Sequence, residues 1–222
     1  TSRLLSPIMF TGTLLAILIV MTACGGGGCS PTSGSTFSGT ISSFGSVFIN
    51  GIEFETDNSN ISIDDIDGNE DDLKVGMRVT VEGSVDSNGS TGTATKITFT
   101  DELEGVVLAN NIGSGQTTGT IDVMGQTVTV TDNTIIEGVA TPDLITSGMI
   151  VEVSGHSSGA GSISATRIEV KATDFATYLA THSEGIELKG VVINHDEMNS
   201  KFDIGGITVD YSAAILSDMP TG

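Results

Sequence analysis

From residue 36 to residue 172 the apolar positions recur at every second residue in short runs. Val79 and Val81 alternate with polar neighbours, and so do Val151 and Val153. A period of two marks half-buried strands, and the abundant Thr and Val suit a pleated surface. Asn50-Gly51, set between Phe48, Ile49 and Ile52, Phe54, is a tight-hairpin signal because both residues tolerate positive φ. The segments 86–92 and 157–162, rich in Ser and Gly, read as turns between longer strands. The one helical suggestion lies in 173–181, where Asp174 is placed to cap one or two turns.

The chain repeats itself. G-M-x-V-x-V-x-G begins at Gly76 and again at Gly148, and each is followed by A-T-[KR]-I, at Ala94 and at Ala165. The spacing between the two motifs is nearly equal in both places, which chance does not readily produce. Gly39, Gly105 and Gly190 each open an alternating run, and each run leads into a hairpin-like element at 49–54, 123–128 and 204–209. The expected organisation is therefore 36–101 and 102–172 as two full units and 173–184 as a linker with a short helix. A third unit, 185–222, lacks both motifs and reads as incomplete. Five short strands per unit with Gly-rich turns predict an all-β chain of tandem small five-stranded barrels similar to the OB-fold. A sandwich shared between neighbouring units is the alternative.

The succession of Gly39, Ser43, Gly45, Asn50 and Gly51, then Gly76, Met77 and Gly83, then Ala94, resembles the bacterial domain-of-unknown-function 5666 family. The match is closest over 36–101, moderate over 102–172, where Ala109–Gly113 replaces the Ser-Phe-Gly opening, and partial over 185–222. The resemblance implies tandem repeats in secreted or lipid-anchored proteins and names no activity.

Composition narrows the function classes. The 222 residues carry 28 Asp and Glu against 8 Lys and Arg, a net charge of -20 with a pI near 4.1. A nucleic-acid partner is excluded on this field, because phosphate binding needs a basic surface. The 38% of hydrophobic residues supports buried cores rather than an acidic disordered chain.

The first 23 residues hold no acid and one base, Arg3, and their apolar run Leu14–Met21 is too short to cross a bilayer core of ~30 Å comfortably. It fits the apolar centre of a secretory signal. The run ends at Ala23-Cys24, which resembles a bacterial lipobox, so residues 1–23 are expected to be a lipoprotein signal peptide and Cys24 the acylated residue. Residues 24–35, Gly- and Ser-rich, would be a flexible tether. Gly25 after Cys24 favours the outer membrane by analogy with lipoprotein sorting. Cys29 is then left without a partner, since the chain has two Cys; a Cys24–Cys29 disulfide is the rival arrangement.

Among candidate sites the densest is acidic. Glu53, Glu55, Asp57, Asp64, Asp65, Asp67, Glu70, Asp71 and Asp72 precede Lys74 with no base between them. Asp65, Asp67, Asn69, Asp71 and Asp72 supply the hard oxygens that Ca²⁺ prefers. The EF-hand template fails, with Ile63 and Lys74 at the positions that need ligands. A solvated acidic loop is the plainer reading, and weak Ca²⁺ binding the one worth testing. His156, His182 and His195 lack metal-ligand spacing. Ser114 lacks a nucleophile-elbow motif. Phe37, Phe44, Phe48, Phe54 and Phe99 read as barrel filling, and Met77 and Met149 as plugs at a barrel end. The expected function is noncatalytic: a lipid-anchored envelope scaffold, spacer or binding module, held to the membrane by its lipid and facing an envelope protein or glycan. The alternative is a calcium- or glycan-dependent surface adhesion module.

Overall fold

The computed structural model describes residues 34–159, 161–182, 186, 192–204 and 207–215. Cys24, Cys29, the segment read as signal peptide and nearly all of the tether lie outside the described residues.

Residues 34–99 contribute β1 (Ser35–Ser43), β2 (Val47–Ile49), β3 (Ile52–Glu55), β4 (Asn60–Ile63), β5 (Ile66–Gly68), β6 (Arg78–Val85) and β7 (Thr91–Phe99). The meander β1-β2-β3 is antiparallel, β6 pairs with β1 and β7, and β3 meets β7 in parallel. That last contact closes a five-stranded barrel in which β1, β2, β3, β7 and β6 follow one another around the wall. Closure leaves no free edge among the five. Strand β4 pairs in parallel with the far half of β7 and carries β5 as a short flap.

The second unit repeats the plan. Its strands are β8 (Leu103–Asn110), β9 (Gly119–Val123), β10 (Gln126–Val130), β11 (Ile135–Glu137), β12 (Ile150–Ser157) and β13 (Ser162–Ala172). Here β10 and β13 make the closing parallel pair and β11 takes the place of β4. A third sheet, β14 (Val192–Asp196), β15 (Lys201–Ile204) and β16 (Ile207–Asp210), is an antiparallel meander of the kind that opens each barrel. Val192 and Ile193 on β14 are exposed. Between β13 and β14 stands α1 (Phe175–Thr181). The Asp174 carboxylate accepts from the Thr177 N–H at 2.8 Å and caps it.

Each barrel has its own core. The first is filled by Ile41, Ile49, Phe54, Val79, Val81, Ile97 and Phe99, the second by aliphatic residues such as Leu103, Ile121, Val151, Val153, Ile163 and Ile168. Burying one such side chain contributes roughly 1.5–3 kcal/mol. Of the Phe set, Phe54 and Phe99 are fully buried and Phe37 packs on Phe54 at 5.2 Å. Phe44 departs from the filling role. It sits in the β1–β2 turn, outside the wall, and is 39% exposed.

The repeated motif now has a physical reading. Gly76 and Gly148 adopt φ of +91° and +94°. Each donates its N–H to the barrel's first strand, at Ile41 and Val107, both at 2.9 Å. Met77 and Met149 then accept the N–H of Lys74 and Thr146 on sulfur, locking the turn beneath the barrel. The last Gly of the motif, Gly83 or Gly155, lies at a β-bulge where β6 pairs with β7 or β12 with β13. A Cβ there would run into the carbonyl oxygen of Thr93 or Ser164. Bulges bend and twist a strand, and a small barrel needs that bend to close. Gly155→Ala is therefore expected to destabilise the second barrel by about 1–3 kcal/mol, as overpacking does, measured by urea unfolding; an unchanged midpoint would refute this role.

Candidate functional site

Pairing in the second barrel brings four glutamates into one row. Glu104 on β8 faces Glu152 on β12, Glu152 faces Glu169 on β13, and Glu169 faces Glu137 on β11. Like charges directly opposite one another across a sheet are destabilising unless cations intervene. Two do. Arg167 is 3% exposed and bridges Glu137 and Glu169, the latter at 3.2 Å. Lys171 reaches Glu152 at 3.0 Å and Glu169 at 3.8 Å.

The corresponding row in the first barrel is Ser38, Thr80, Thr98 and Ser62, by the same pairings. One fold thus carries a neutral hydroxyl row in one copy and a carboxylate row in the other.

Glu152 is the most constrained member. It is 6% exposed, and one carboxylate oxygen has no hydrogen-bond partner among the described residues. Burial pushes its pKa up to about 7, against the pull of Lys171, with Glu169 and Asp64 adding repulsion. For Lys171, burial favours the neutral amine, but the carboxylates Glu152, Glu169 and Glu104 outweigh it and its pKa lies above the ordinary value. Tyr178 of α1 closes the row from above. Its ring packs with Ile150, Ala172 and Val106, its phenol bonds Glu104, and burial with that bond raises its pKa. The row thus lies beneath a docked helix.

The same second barrel is joined to the first. Arg167 Nη1 donates to the Val75 carbonyl at 3.3 Å, and Thr166 Oγ1 donates to the Gly76 carbonyl at 2.7 Å. The Asp101 N–H donates to Asp64 at 3.1 Å, and Arg78 faces Glu102 at 3.8 Å. The Gly76 turn and the A-T-[KR]-I strand of the next unit are thus parts of one joint.

The two barrels are also the segments that match a known family. The description "Domain of unknown function (DUF5666)" matches residues 38–98 and again 104–169, more than half of the chain. The chain belongs to the DUF5666 family. No curated protein matches it, and no solved structure does. In this DUF5666 pair, each matched segment begins on the first strand of a barrel and ends on its last.

The residues singled out for Ca²⁺ lie on two successive turns and the short strand between them. Asp65 is in the β4–β5 turn at φ +65°, Asp67 is on β5, and Asn69 to Asp72 form a capped 3₁₀ turn. In that turn Asp72 accepts from the Asn69 backbone and side chain at 2.9 and 2.7 Å. The Asn69 side chain in turn accepts the Asp71 N–H. Among the described residues no three His, Cys, Asp or Glu side chains are grouped to hold a metal ion. Glu70, Asp71, Leu73 and Lys74 instead line an open cleft of about 390 Å³ walled by Phe44. The histidines are separate: His156 is exposed on β12, His182 stacks on Tyr178 at 4.2 Å, and His195 meets the Tyr211 hydroxyl at 2.7 Å. Ser114 lies in the turn of 113–116, where the Gln116 N–H donates to the Gly113 carbonyl.

The glutamate row escaped the sequence reading. Its signal was available in the alignment of the two units, where Thr80 and Thr98 correspond to Glu152 and Glu169. The parallel partner β11 was not foreseeable from local pattern.

A carboxyl whose folded pKa exceeds its unfolded value binds its proton more tightly when folded. Stability from Glu152 is then complete below its ordinary 4.5, falls as pH rises, and is lost above about 7. The effect is at most roughly 3 kcal/mol at 1.36 kcal/mol per pKa unit. In Glu152→Gln the difference in melting temperature between pH 5 and pH 8 should shrink relative to the parent chain. An identical pH slope in both proteins would overturn the assignment.

Proposed function

We propose that this DUF5666 protein is a noncatalytic, lipid-anchored component of a bacterial envelope, serving as a spacer or scaffold. The observation that carries the reading is the joint between the barrels. A chain of independent binding modules needs only flexible linkers. Here Thr100, Asp101 and Glu102 alone separate β7 from β8, and side chains of the second barrel hold main-chain carbonyls of the first. A buried Arg on one backbone oxygen and a Thr on the next fix orientation, as a spacer requires. The acidic surface keeps such a body soluble and discourages nonspecific contacts. Cys24 would carry the lipid, and the membrane surface would be its first partner, with the outer membrane the favoured location. The body would face an envelope protein or a glycan.

The cleft beside Phe44 favours a second reading, in which the acidic end of the first barrel contacts a glycan, since an aromatic wall with carboxylates suits a sugar face and its hydroxyls.

Two measurements test the main reading. Cys24→Ser should move the protein from the membrane fraction to the soluble fraction; full retention would refute the anchor. The barrels should melt in one calorimetric transition, and Arg167→Ala should split it. The substitution removes the cation shared by Glu137 and Glu169 and the hydrogen bond to Val75; because both carboxylates reach solvent, the cost is about 1–3 kcal/mol. Two independent transitions in the parent chain would sink the spacer reading.

A further inference from the structure

The joint between the barrels has two halves, and each half occurs twice. One half is the G-M turn, whose carbonyls at Val75 and Gly76 receive the second barrel. The other is the Thr-[Lys/Arg] pair of A-T-[KR]-I, here Thr166 and Arg167. The fit is close. A Cβ on Gly76 would lie 3.0 Å from Arg167 Cβ, from Ile135 Cγ1 and from the Thr166 carbonyl oxygen.

The second barrel presents its own turn half in the same conformation. Gly148 has φ +94° against +91° for Gly76 and makes the same N–H bond to its barrel's first strand. Nothing among the described residues comes within 4 Å of a Cβ built there, and Thr146 and Ser147 are exposed. The first barrel presents the donor half. Thr95 and Lys96 are both exposed, as is Asn60, the counterpart of Ile135. Thr95 Oγ1 meanwhile turns back to the Glu82 carbonyl of its own sheet.

We propose that two copies of this chain associate head to tail, the Thr146–Met149 turn of one receiving Thr95 and Lys96 of the other. The contact repeats the joint inside the chain, with Lys96 standing where Arg167 stands. It is heterologous, using different patches on the two copies, so it propagates into rings or filaments instead of stopping at a symmetric dimer. Within one chain the joint benefits from the effective concentration of a covalent tether. Between chains the association is therefore weak and rises with concentration. Both copies are strongly negative, so added salt screens their repulsion and strengthens the contact.

The test uses the full chain with Cys24 and Cys29 replaced by Ser, so that introduced thiols report alone. One preparation carries Ser147→Cys and a second carries Asn60→Cys. A short bismaleimide is added to each alone and to the mixture. The mixture should yield a cross-linked pair that neither preparation yields by itself. Adding Lys96→Glu to the Asn60→Cys chain should cut that yield about tenfold or more, as expected for losing a charged hydrogen bond. The melting temperature of that chain should stay unchanged, because Lys96 is exposed. Three results would overturn the proposal: no product above the single-preparation background, equal products in all three reactions, or a product indifferent to Lys96→Glu. The first is also the outcome if some other protein or segment occupies the free turn.

Discussion

The parallel contact of β3 with β7, repeated by β10 with β13, is the constraint on which each barrel depends. The other wall contacts are antiparallel and lie between strands joined by turns or brought together by the long β6–β7 and β12–β13 hairpins. Closing the wall demands that the long strands bend sharply at Gly83 and Gly155, where a neighbouring carbonyl leaves no space for a side chain. Once closed, the interior is narrow, so the first barrel fills with Phe54 and Phe99 and the second with aliphatic residues alone. The Gly-Met turn follows from the same geometry. It brings the last portion of each unit back beneath the first strand, and its carbonyls are left facing outward.

Closure also explains why the outside of the wall can vary. The residues of the carboxylate row alternate with core positions such as Val151, Val153 and Ile168, so the row can change without disturbing the packing beneath it. Ser38, Thr80, Thr98 and Ser62 of the first barrel correspond to Glu104, Glu152, Glu169 and Glu137 of the second, where Arg167 and Lys171 supply the countercharge. Arg167 serves two purposes there. It neutralises its own barrel's carboxylates and ties the barrel to its neighbour.

Much of the architecture was legible in the residues. Alternation marked the strands, Asn50-Gly51 marked the hairpin, and the two motifs marked the duplication. Those signals are local or recur at fixed spacing. Strands β4 and β11 were missed because each is three or four residues long and finds its partner tens of residues away, and β5 because it is three residues long and pairs with β4. The glutamate row depends on those same distant registers. The dense acids around Asp65 to Asp72 drew attention by sequence proximity; the turn at Asp64-Asp65 and the 3₁₀ turn, which engages Asn69 with Asp71 and Asp72, were not legible in that density.

The three residues between β7 and β8 carry a last consequence. Asp101 is 4% exposed and its N–H is held by Asp64, so the connector is part of the packed structure and has no slack. A one-residue insertion at 100–102 would shift the phase of the second barrel against the first, pulling Thr166 and Arg167 out of line with the Gly76 turn. The length of this connector is thus set by the joint it serves, much as the pitch of a screw is set by its thread and not by its shaft.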